Sequence, residues 1–218
     1  KETSFNGINE VIKKQTNPRD LTNKRVLGVA IPIVLANDTI PILGAVDTAV
    51  VGQLGLAVPI GAVGIGAIII TAIYWLFGFL RMGTTGLTAQ AIGSGDKPET
   101  SALLVRGVII GFTAGLILII AQVPIFLGAL QLSPASMEVE SLAQKYLQIR
   151  VYSAPAAIAL FGITGWLIAK EKTREVLLLQ LALNGINITL DLVFVLKLGW
   201  GVEGVAIATL IAEWSGLI

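Results

Sequence analysis

Long apolar stretches alternate with short polar segments along this chain, and the apolar stretches have the length of membrane-spanning helices. About 20 apolar residues in an α-helix cross the hydrocarbon core of a bilayer, which is about 30 Å thick. The pattern predicts six spans, at residues 24–52, 60–91, 105–130, 142–169, 176–196 and 201–218. The predicted fold class is therefore all-α and integral to the membrane, a bundle of six transmembrane helices.

Prolines and polar residues interrupt several of these spans. Pro32 and Pro41 each remove a backbone donor from span one, so we expect this helix to bend. Gln122 and Pro124 interrupt span three in the same way. Span two is longer than a bilayer core requires, and its Arg81 can therefore lie near the lipid headgroups.

Residues 1–23 are more polar than the rest and are expected to form a cytoplasmic tail. Phe5, Ile8 and Val11 recur at roughly helical spacing beside Lys13 and Lys14, a pattern typical of a short amphipathic helix on the membrane surface. An irregular tail fits the same residues, and both interpretations remain open. The segment lacks the continuous apolar core of a signal peptide.

The composition excludes several classes of protein. Hydrophobic residues make up 55% of the 218 residues and charged residues 13%, which excludes a water-soluble globular domain. A net charge of +1 gives no basic field for a nucleic-acid partner. The chain has no cysteine, no histidine and no Walker A lysine motif, so thiolate, imidazole and ATP-driven chemistry are not expected. Carboxylates are left to bind a proton or a cation, and no other cofactor is expected.

Basic residues indicate the orientation of the spans. Lysines and arginines precede span one and recur in the connections after spans two and four, whereas the alternate connections hold few. Because basic connections stay on the cytoplasmic side, the N-terminus is expected to be cytoplasmic. The protein is expected to be a multi-pass component of the plasma (inner) membrane.

Two acids lie inside span one, where a charge is costly and therefore calls for a functional explanation. Asp38 and Asp47 are nine residues apart, which puts them on opposite faces of a helix. Asp47 lies about five residues from the outer end of span one, and Asp191 lies a similar distance from the outer end of span five. These two acids should therefore share one depth in the outer half of the membrane.

A polar stripe accompanies Asp191 on span five. Asn184, Asn187 and Asp191 follow the i, i+3, i+7 spacing of one helix face, which must contact protein or water rather than lipid. Thr209 of span six lies at nearly the same depth. Together Asp47, Asn187, Asp191 and Thr209 form an oxygen-rich set that can bind a proton or Na⁺. The alternative is that the amides and the hydroxyl only hydrogen-bond neighbouring helices.

Other polar and small residues have two interpretations each. Asp38 either lines a water-filled path or makes a local helix contact. Glu213, about halfway into span six, is a further candidate whose partner can come from beyond Ile218. The glycines at 61, 64 and 66 have the wrong order for a dinucleotide-binding loop and favour close helix packing.

Several motifs together resemble the multidrug and toxic compound extrusion (MATE) transporters, in their DinF-type branch. The motifs are Ile31-Pro32, the run LGAVDTAVVG at 43–52, FLRMGTTGLTAQ at 79–90, Ile149-Arg150 followed by Ala154-Pro155-Ala156, and NITLD at 187–191. The resemblance covers the chain from about residue 24 onward. It implies twelve spans in two lobes, of which residues 24–218 would be the N-terminal lobe, with the C-terminal lobe absent from this chain.

The resemblance also implies a function and site residues. Such transporters export mostly cationic amphiphilic compounds by alternating access, and H⁺ or Na⁺ entry drives the export. Asp47 matches the first-helix coupling acid, Asp191 the fifth-helix acid with Asn187 one turn before it, and Thr209 a sixth-helix hydroxyl. Thr164 stands where related members have an asparagine, which puts that contact in doubt. Neither Asp38 nor Glu213 belongs to the family motif.

The expected function is secondary active multidrug efflux, and the chain is not expected to be an enzyme. The expected partners are organic cations, membrane lipids and the second lobe. One alternative is a lipid-linked precursor flippase of related fold, although few intramembrane basic residues support it. A second is an intramembrane aspartyl protease, although Asp191 follows Thr189-Leu190 rather than the Gly-x-Gly that precedes the acid in such enzymes. A third is a scaffold or channel subunit that transports nothing.

Overall fold

The computed structural model of the protein describes residues 23–133 and 135–217. All regular structure in this part of the chain is helical. The predicted amphipathic segment near the N-terminus lies outside the described residues. The helices are α1 (Asn23–Gly52), α2 (Ala57–Trp75), α3 (Gly78–Gly93), α4 (Lys97–Ile120), α5 (Gln122–Leu132), α6 (Met137–Arg150), α7 (Ala154–Ala169), α8 (Thr173–Asp191) and α9 (Gly201–Ser215).

These helices combine into membrane-length segments close to the predicted spans. Five of them are long and apolar enough to cross a membrane: Val26–Gly52, Ala57–Gly93, Lys97–Ile120, Met137–Ala169 and Thr173–Lys197. The sixth predicted span corresponds to α9, which has 15 residues in the described part of the chain. We call these segments spans one to six in chain order.

Span two is not the single continuous helix that its hydropathy predicts. It breaks at Leu76 and Phe77, where backbone bonds shorten to the three-residue spacing of a 3₁₀ turn, with Phe77 N donating to the Tyr74 carbonyl at 2.9 Å. Gly78, a poor helix former, begins the next helix. The break lies between the aromatic end of α2 and the small, polar α3.

The predicted interruption of span three is confirmed, whereas span four contains a break that the sequence did not predict. Span three breaks at Ala121, and the Gln122 side chain donates to the Ile119 carbonyl at 2.8 Å. A short 3₁₀ turn joins α6 to α7, and Pro155 takes the second position of α7, where a proline costs no hydrogen bond. α1 continues through Pro32 and Pro41, so these prolines do not end the helix; the bend stays a prediction.

Small residues bring α3, α4 and α7 close together. A Cβ atom on Gly111 of α4 would lie 2.7 Å from the Ala159 backbone of α7, and one on Gly162 would lie 2.9 Å from the Gly107 backbone. On span two, the ring of Tyr146 packs directly on Gly66. Glycines therefore set the distance between these helices, as close packing in membranes requires.

Two helices flank the helix that carries the polar stripe of span five. α8 packs against α1 on one side and against α9 on the other, and α9 also packs against α6. The buried core near this region contains Val51, Val63, Leu147 and Val205. Most other apolar side chains of α1 are exposed, among them Val34, which is 55% exposed. α1 thus joins the bundle along one narrow face.

Candidate functional site

The two acids predicted to share one depth are both buried. Asp47 of α1 is 8% exposed, and Asp191, the last residue of α8, is 0% exposed. Their carboxyl groups lie within hydrogen-bonding reach of each other. The contact between α1 and α8 is therefore built around a pair of carboxyl groups from two different spans.

Asn187 joins both acids to a third helix. With its amide nitrogen toward the acids, Asn187 Nδ2 donates to Asp191 Oδ2 at 3.0 Å and to Asp47 Oδ1 at 3.1 Å. Its Oδ1 then accepts from the Thr209 hydroxyl at 2.9 Å and from the Thr209 backbone nitrogen at 3.2 Å. The opposite orientation would point the amide oxygen at two carboxyl groups, so the hydrogen-bond network selects this one.

The acid pair retains unused capacity to bind a cation or a proton. Asp191 Oδ1 is buried and has no hydrogen-bond partner within the described part of the chain. Two adjacent buried negative charges repel each other and are poorly solvated, so a shared proton or a small cation stabilises the pair. The described residues contain no cluster of three His, Cys, Asp or Glu side chains that could hold a metal ion.

An irregular helical segment follows Asp191 directly. Leu192–Lys197 is a π-helix, in which Leu198 N donates to the Val193 carbonyl five residues before it at 3.0 Å. The segment is held in place by Val195, which is buried, and by the Phe194 ring, which stacks on Trp200. Such segments often adjoin functional sites. Here the π-helix begins directly after Asp191, the last residue of α8.

A cavity of about 230 Å³ adjoins the site. Its wall includes Asn187 and Thr209 from the site and the further predicted residues Thr164, Asn184 and Glu213. The Thr164 hydroxyl is bonded to the Leu160 carbonyl of its own helix at 2.7 Å. Asn184 Nδ2 donates across to the Thr39 carbonyl of α1 at 3.3 Å, which adds a second polar contact between α1 and α8.

The structure thus brings four of the predicted residues together and separates a fifth. Asp47, Asn187, Asp191 and Thr209 form one hydrogen-bonded group. Asp38 is exposed on α1, in agreement with its predicted position on the opposite face from Asp47.

Sequence reasoning missed Arg150, which forms a buried ion pair with Glu213. The guanidinium donates from Nη1 to Oε2 at 2.9 Å and from Nη2 to Oε1 at 3.1 Å. A partner for Glu213 from beyond Ile218 was one possibility; the structure instead pairs Glu213 with Arg150, within the chain. A signal did exist: Arg150 is 13 residues from the start of span four, or about 20 Å along the helix, and a charge so far inside a span needs a partner.

Comparison with known proteins identifies the family. The MatE family profile matches residues 32–193. The chain belongs to the MatE family. The Escherichia coli (strain K12) protein called DNA damage-inducible protein F is 38% identical over 197 residues, which cover 90% of the chain and 43% of that relative.

Solved MATE structures share the fold. A MOP superfamily transporter from Pyrococcus furiosus, reported to have a binding pocket of reverse polarity, superposes with a TM-score of 0.81 at 25% identity, over 89% of the chain and 43% of that protein. A MATE crystal structure in a bent conformation gives a TM-score of 0.82 at 25% identity, over 88% of the chain and 43% of its own length. The chain therefore spans less than half the length of these MATE relatives.

Membership of the MatE family confirms the predicted resemblance and the all-α membrane fold. MATE proteins are transporters rather than enzymes, in agreement with the expectation that the chain is not an enzyme. The aspartyl protease alternative is therefore discarded, although the two acids do lie side by side.

Proposed function

We propose that residues 24–218 are the N-terminal lobe of a twelve-span antiporter that exports cationic amphiphilic compounds in exchange for H⁺ or Na⁺. The protein lies in the plasma (inner) membrane with a cytoplasmic N-terminus. Two facts support the proposal: the chain aligns with about 43% of its relatives' length, and solved relatives are described as transporters. A second lobe of similar size would account for the remaining length.

One observation carries this proposal, the buried group in which Asn187 bridges Asp47 and Asp191. When a proton or Na⁺ joins the two acids, their negative charge is reduced and the two donor bonds from Asn187 lose strength. Of these two bonds, the one to Asp47 holds α1 to α8, whereas the one to Asp191 lies within α8. Because α1 packs along one narrow face, ion binding at this point shifts the balance between two packings of the helix. A relative described in a bent conformation supports the existence of more than one packing.

The same acids explain how export is coupled to ion entry. Glu213 is neutralised by Arg150, whereas the buried Asp47 and Asp191 form no ion pair with a basic residue within the described part of the chain; they bond to Asn187, which lines the cavity. A cationic substrate is stabilised by these acids in their charged form, and the coupling ion removes that stabilisation. Substrate and ion therefore both need the charged form of these two acids and cannot bind together, which is the condition for exchange.

The orientation of the Asn187 amide bears on the choice between H⁺ and Na⁺. With the nitrogen toward the acids, the group is hydrogen-bonded without any cation. A Na⁺ ion between the acids requires the amide to turn, so that its oxygen becomes a ligand beside the two carboxylates and the Thr209 hydroxyl. Proton coupling requires no such rotation.

The decisive experiment compares two acids of the same helix. The full-length protein, its D47N variant and its D38N variant are reconstituted into proteoliposomes, and efflux of a fluorescent organic cation is followed under a pH gradient or a Na⁺ gradient. D47N should abolish ion-driven efflux, because an amide cannot exchange a proton or balance a cation. D38N should retain it, since Asp38 is exposed and lies outside the acid pair. Unchanged efflux by D47N would refute the assignment.

A lipid-linked precursor flippase is the second candidate, and one observation favours it. Arg81 lines the cavity, and it has no acidic partner within 4 Å among residues 23–133 and 135–217. A basic group there suits a phosphate-bearing substrate. Transfer of a labelled lipid-linked pyrophosphate across the proteoliposome membrane, with no efflux of organic cations, would replace the first proposal with this one.

A further inference from the structure

The ion pair between Arg150 and Glu213 joins a buried guanidinium to a carboxylate whose side chain is 20% exposed. Arg150 is 6% exposed, and both of its terminal nitrogens are bonded to the Glu213 carboxylate. Arg150 Nη1 also donates to Ser153 Oγ at 2.6 Å, and the Tyr74 hydroxyl donates to the Arg150 carbonyl at 3.0 Å. Three spans, two, four and six, therefore meet at this pair.

The pair lies one helical turn away from the proposed coupling group. Glu213 follows Thr209 by four residues on α9, so it lies on the same helix face, about 6 Å further along the axis. Arg150 lies on α6, which packs against α9, the helix that carries both Glu213 and Thr209. The charges of Arg150 and Glu213 themselves also act on Asp47.

We propose that Arg150 and Glu213 are positioning residues whose opposite charges cancel beside Asp47 and thereby set the affinity of the coupling site for its ion. This inference rests on the proposed function of that site. A buried pair of this kind adds little net stability compared with apolar side chains, so a role in stability alone explains it poorly. Cancellation of charge beside the ion site is a functional role that accounts for the Arg150–Glu213 pair.

The proposal predicts opposite effects for the two partners. Replacing Glu213 with glutamine leaves a buried positive charge, which repels a proton or Na⁺ at the acid pair. Replacing Arg150 with glutamine leaves a buried negative charge, which attracts the same ion. The groups that act on this region are Asp47 of α1, Tyr74 of α2, Tyr146 and Arg150 of α6, Asp191 of α8 and Glu213 of α9. Of these, only Arg150 is basic, so its charge is balanced within the group by Glu213.

The test is a double-mutant cycle in the full-length protein. Ion-driven efflux in proteoliposomes is measured against the concentration of the coupling ion for the wild type, E213Q, R150Q and R150Q/E213Q. E213Q should raise the ion concentration for half-maximal efflux by about threefold or more, and R150Q should lower it by a similar factor. The double variant, in which no net charge remains, should return to within about twofold of the wild type.

The chain supplies a matched control on the same two helices. Lys145 of α6 and Glu203 of α9 form an ion pair at 3.7 Å, but their side chains are 54% and 51% exposed. K145Q, E203Q and their double variant should leave the half-maximal ion concentration unchanged, because this pair is exposed and is not among the charges that act on Asp47. R150K, which keeps the charge but loses the two-pronged contact, should stay close to the wild type on this measure.

The possible outcomes separate this inference from the proposed function. Opposite shifts of the half-maximal ion concentration in the single variants, which cancel in the double variant, support this inference. If R150Q cannot be purified, reversal of the E213Q shift in the double variant supports it as well. A purely structural pair would lower the maximal rate of the single variants at an unchanged half-maximal concentration, whether or not the double variant recovers, and this would overturn the inference alone. A wild type that responds to neither ion gradient would overturn the proposed function and, with it, this inference.

Discussion

At the scale of single residues, the candidate site depends most on Asn187. One amide contacts acids from α1 and α8 and the hydroxyl of Thr209 on α9. It is fully buried, so each unmade hydrogen bond would carry the full cost of desolvation. The position therefore tolerates few substitutions, and the effect of a substitution reports on which ion binds.

Replacing Asn187 with alanine tests the amide as an ion ligand. If Na⁺ is the coupling ion, N187A should raise the Na⁺ concentration for half-maximal efflux about tenfold, because one oxygen ligand is lost beside two carboxylates. If H⁺ is the coupling ion, Na⁺ should have no effect, and efflux under a pH gradient should persist at a reduced rate, because the bond between Asn187 and Asp47 of α1 is lost. Efflux by proteoliposomes at varied Na⁺ concentration measures the difference.

Asn184 provides the control for this substitution. It lies on the same stripe, three residues earlier, and bonds to the Thr39 carbonyl and to Gln180 rather than to the acids. N184A should leave the ion dependence unchanged. An equal shift in N184A and N187A would mean that the stripe only holds helices together.

The sequence predicted the acid pair but not the ion pair, for a physical reason. Helical phase and depth are properties of single spans, and they were sufficient to match Asp47 with Asp191. Arg150 and Glu213 are 63 residues apart, and their contact depends on which faces of α6 and α9 meet. Hydropathy also obscured Arg150, because the polar beginning of span four is typical of a helix that starts at the membrane surface.

At the scale of helices, the bundle depends on the close approach of α4 to α7. Gly111 and Gly115 of α4 lie directly against the backbone of α7 at Ala159 and Pro155. Apolar side chains gain little by leaving lipid for protein, so such backbone contacts supply much of the packing energy in membranes. These contacts hold span three to span four, and span four carries Arg150.

Replacing Gly111 with alanine should destabilise this contact. The added Cβ would lie 2.7 Å from backbone atoms of Ala159, so the helices must separate. Overpacking of this kind costs about 1–3 kcal/mol. The midpoint temperature at which detergent-solubilised protein loses its monodisperse chromatographic peak should fall. G64A on α2 is the control, since its Cβ would meet nothing within 4 Å; equal midpoints for both variants would contradict the packing argument.

The breaks within spans show the limit of prediction at this scale. Prolines and glutamine correctly located the interruption of span three, because they remove a donor or compete for the backbone. The break of span two and the π-helix after Asp191 have no such marker beyond Gly78. Their positions follow from packing between distant helices, and hydropathy along one helix contains no information on that packing.

At the scale of the whole molecule, the polar cavity and the acid pair border a helix that is largely exposed. In the most apolar stretch of α1, only 6% of the residues are buried within the described structure. Its apolar side chains can face lipid, but the exposed Asp38 and the polar residues of the cavity cannot do so without cost. A second lobe that covers this side would remove the conflict, as the interface between repeats does in many transporters.

The last prediction is that residues 1–218 alone do not transport. Alternating access needs two bodies that move against each other around a site, and one lobe supplies a single body. The chain alone, the full-length protein, and the two halves co-expressed as separate chains are reconstituted at equal amounts after a check for monodispersity. Ion-driven efflux of an organic cation should be absent for the chain alone, present for the full-length protein, and partly restored by co-expression. Efflux by the chain alone at the full-length rate would show that one lobe contains the complete pathway, and the two-lobe mechanism would have to be abandoned.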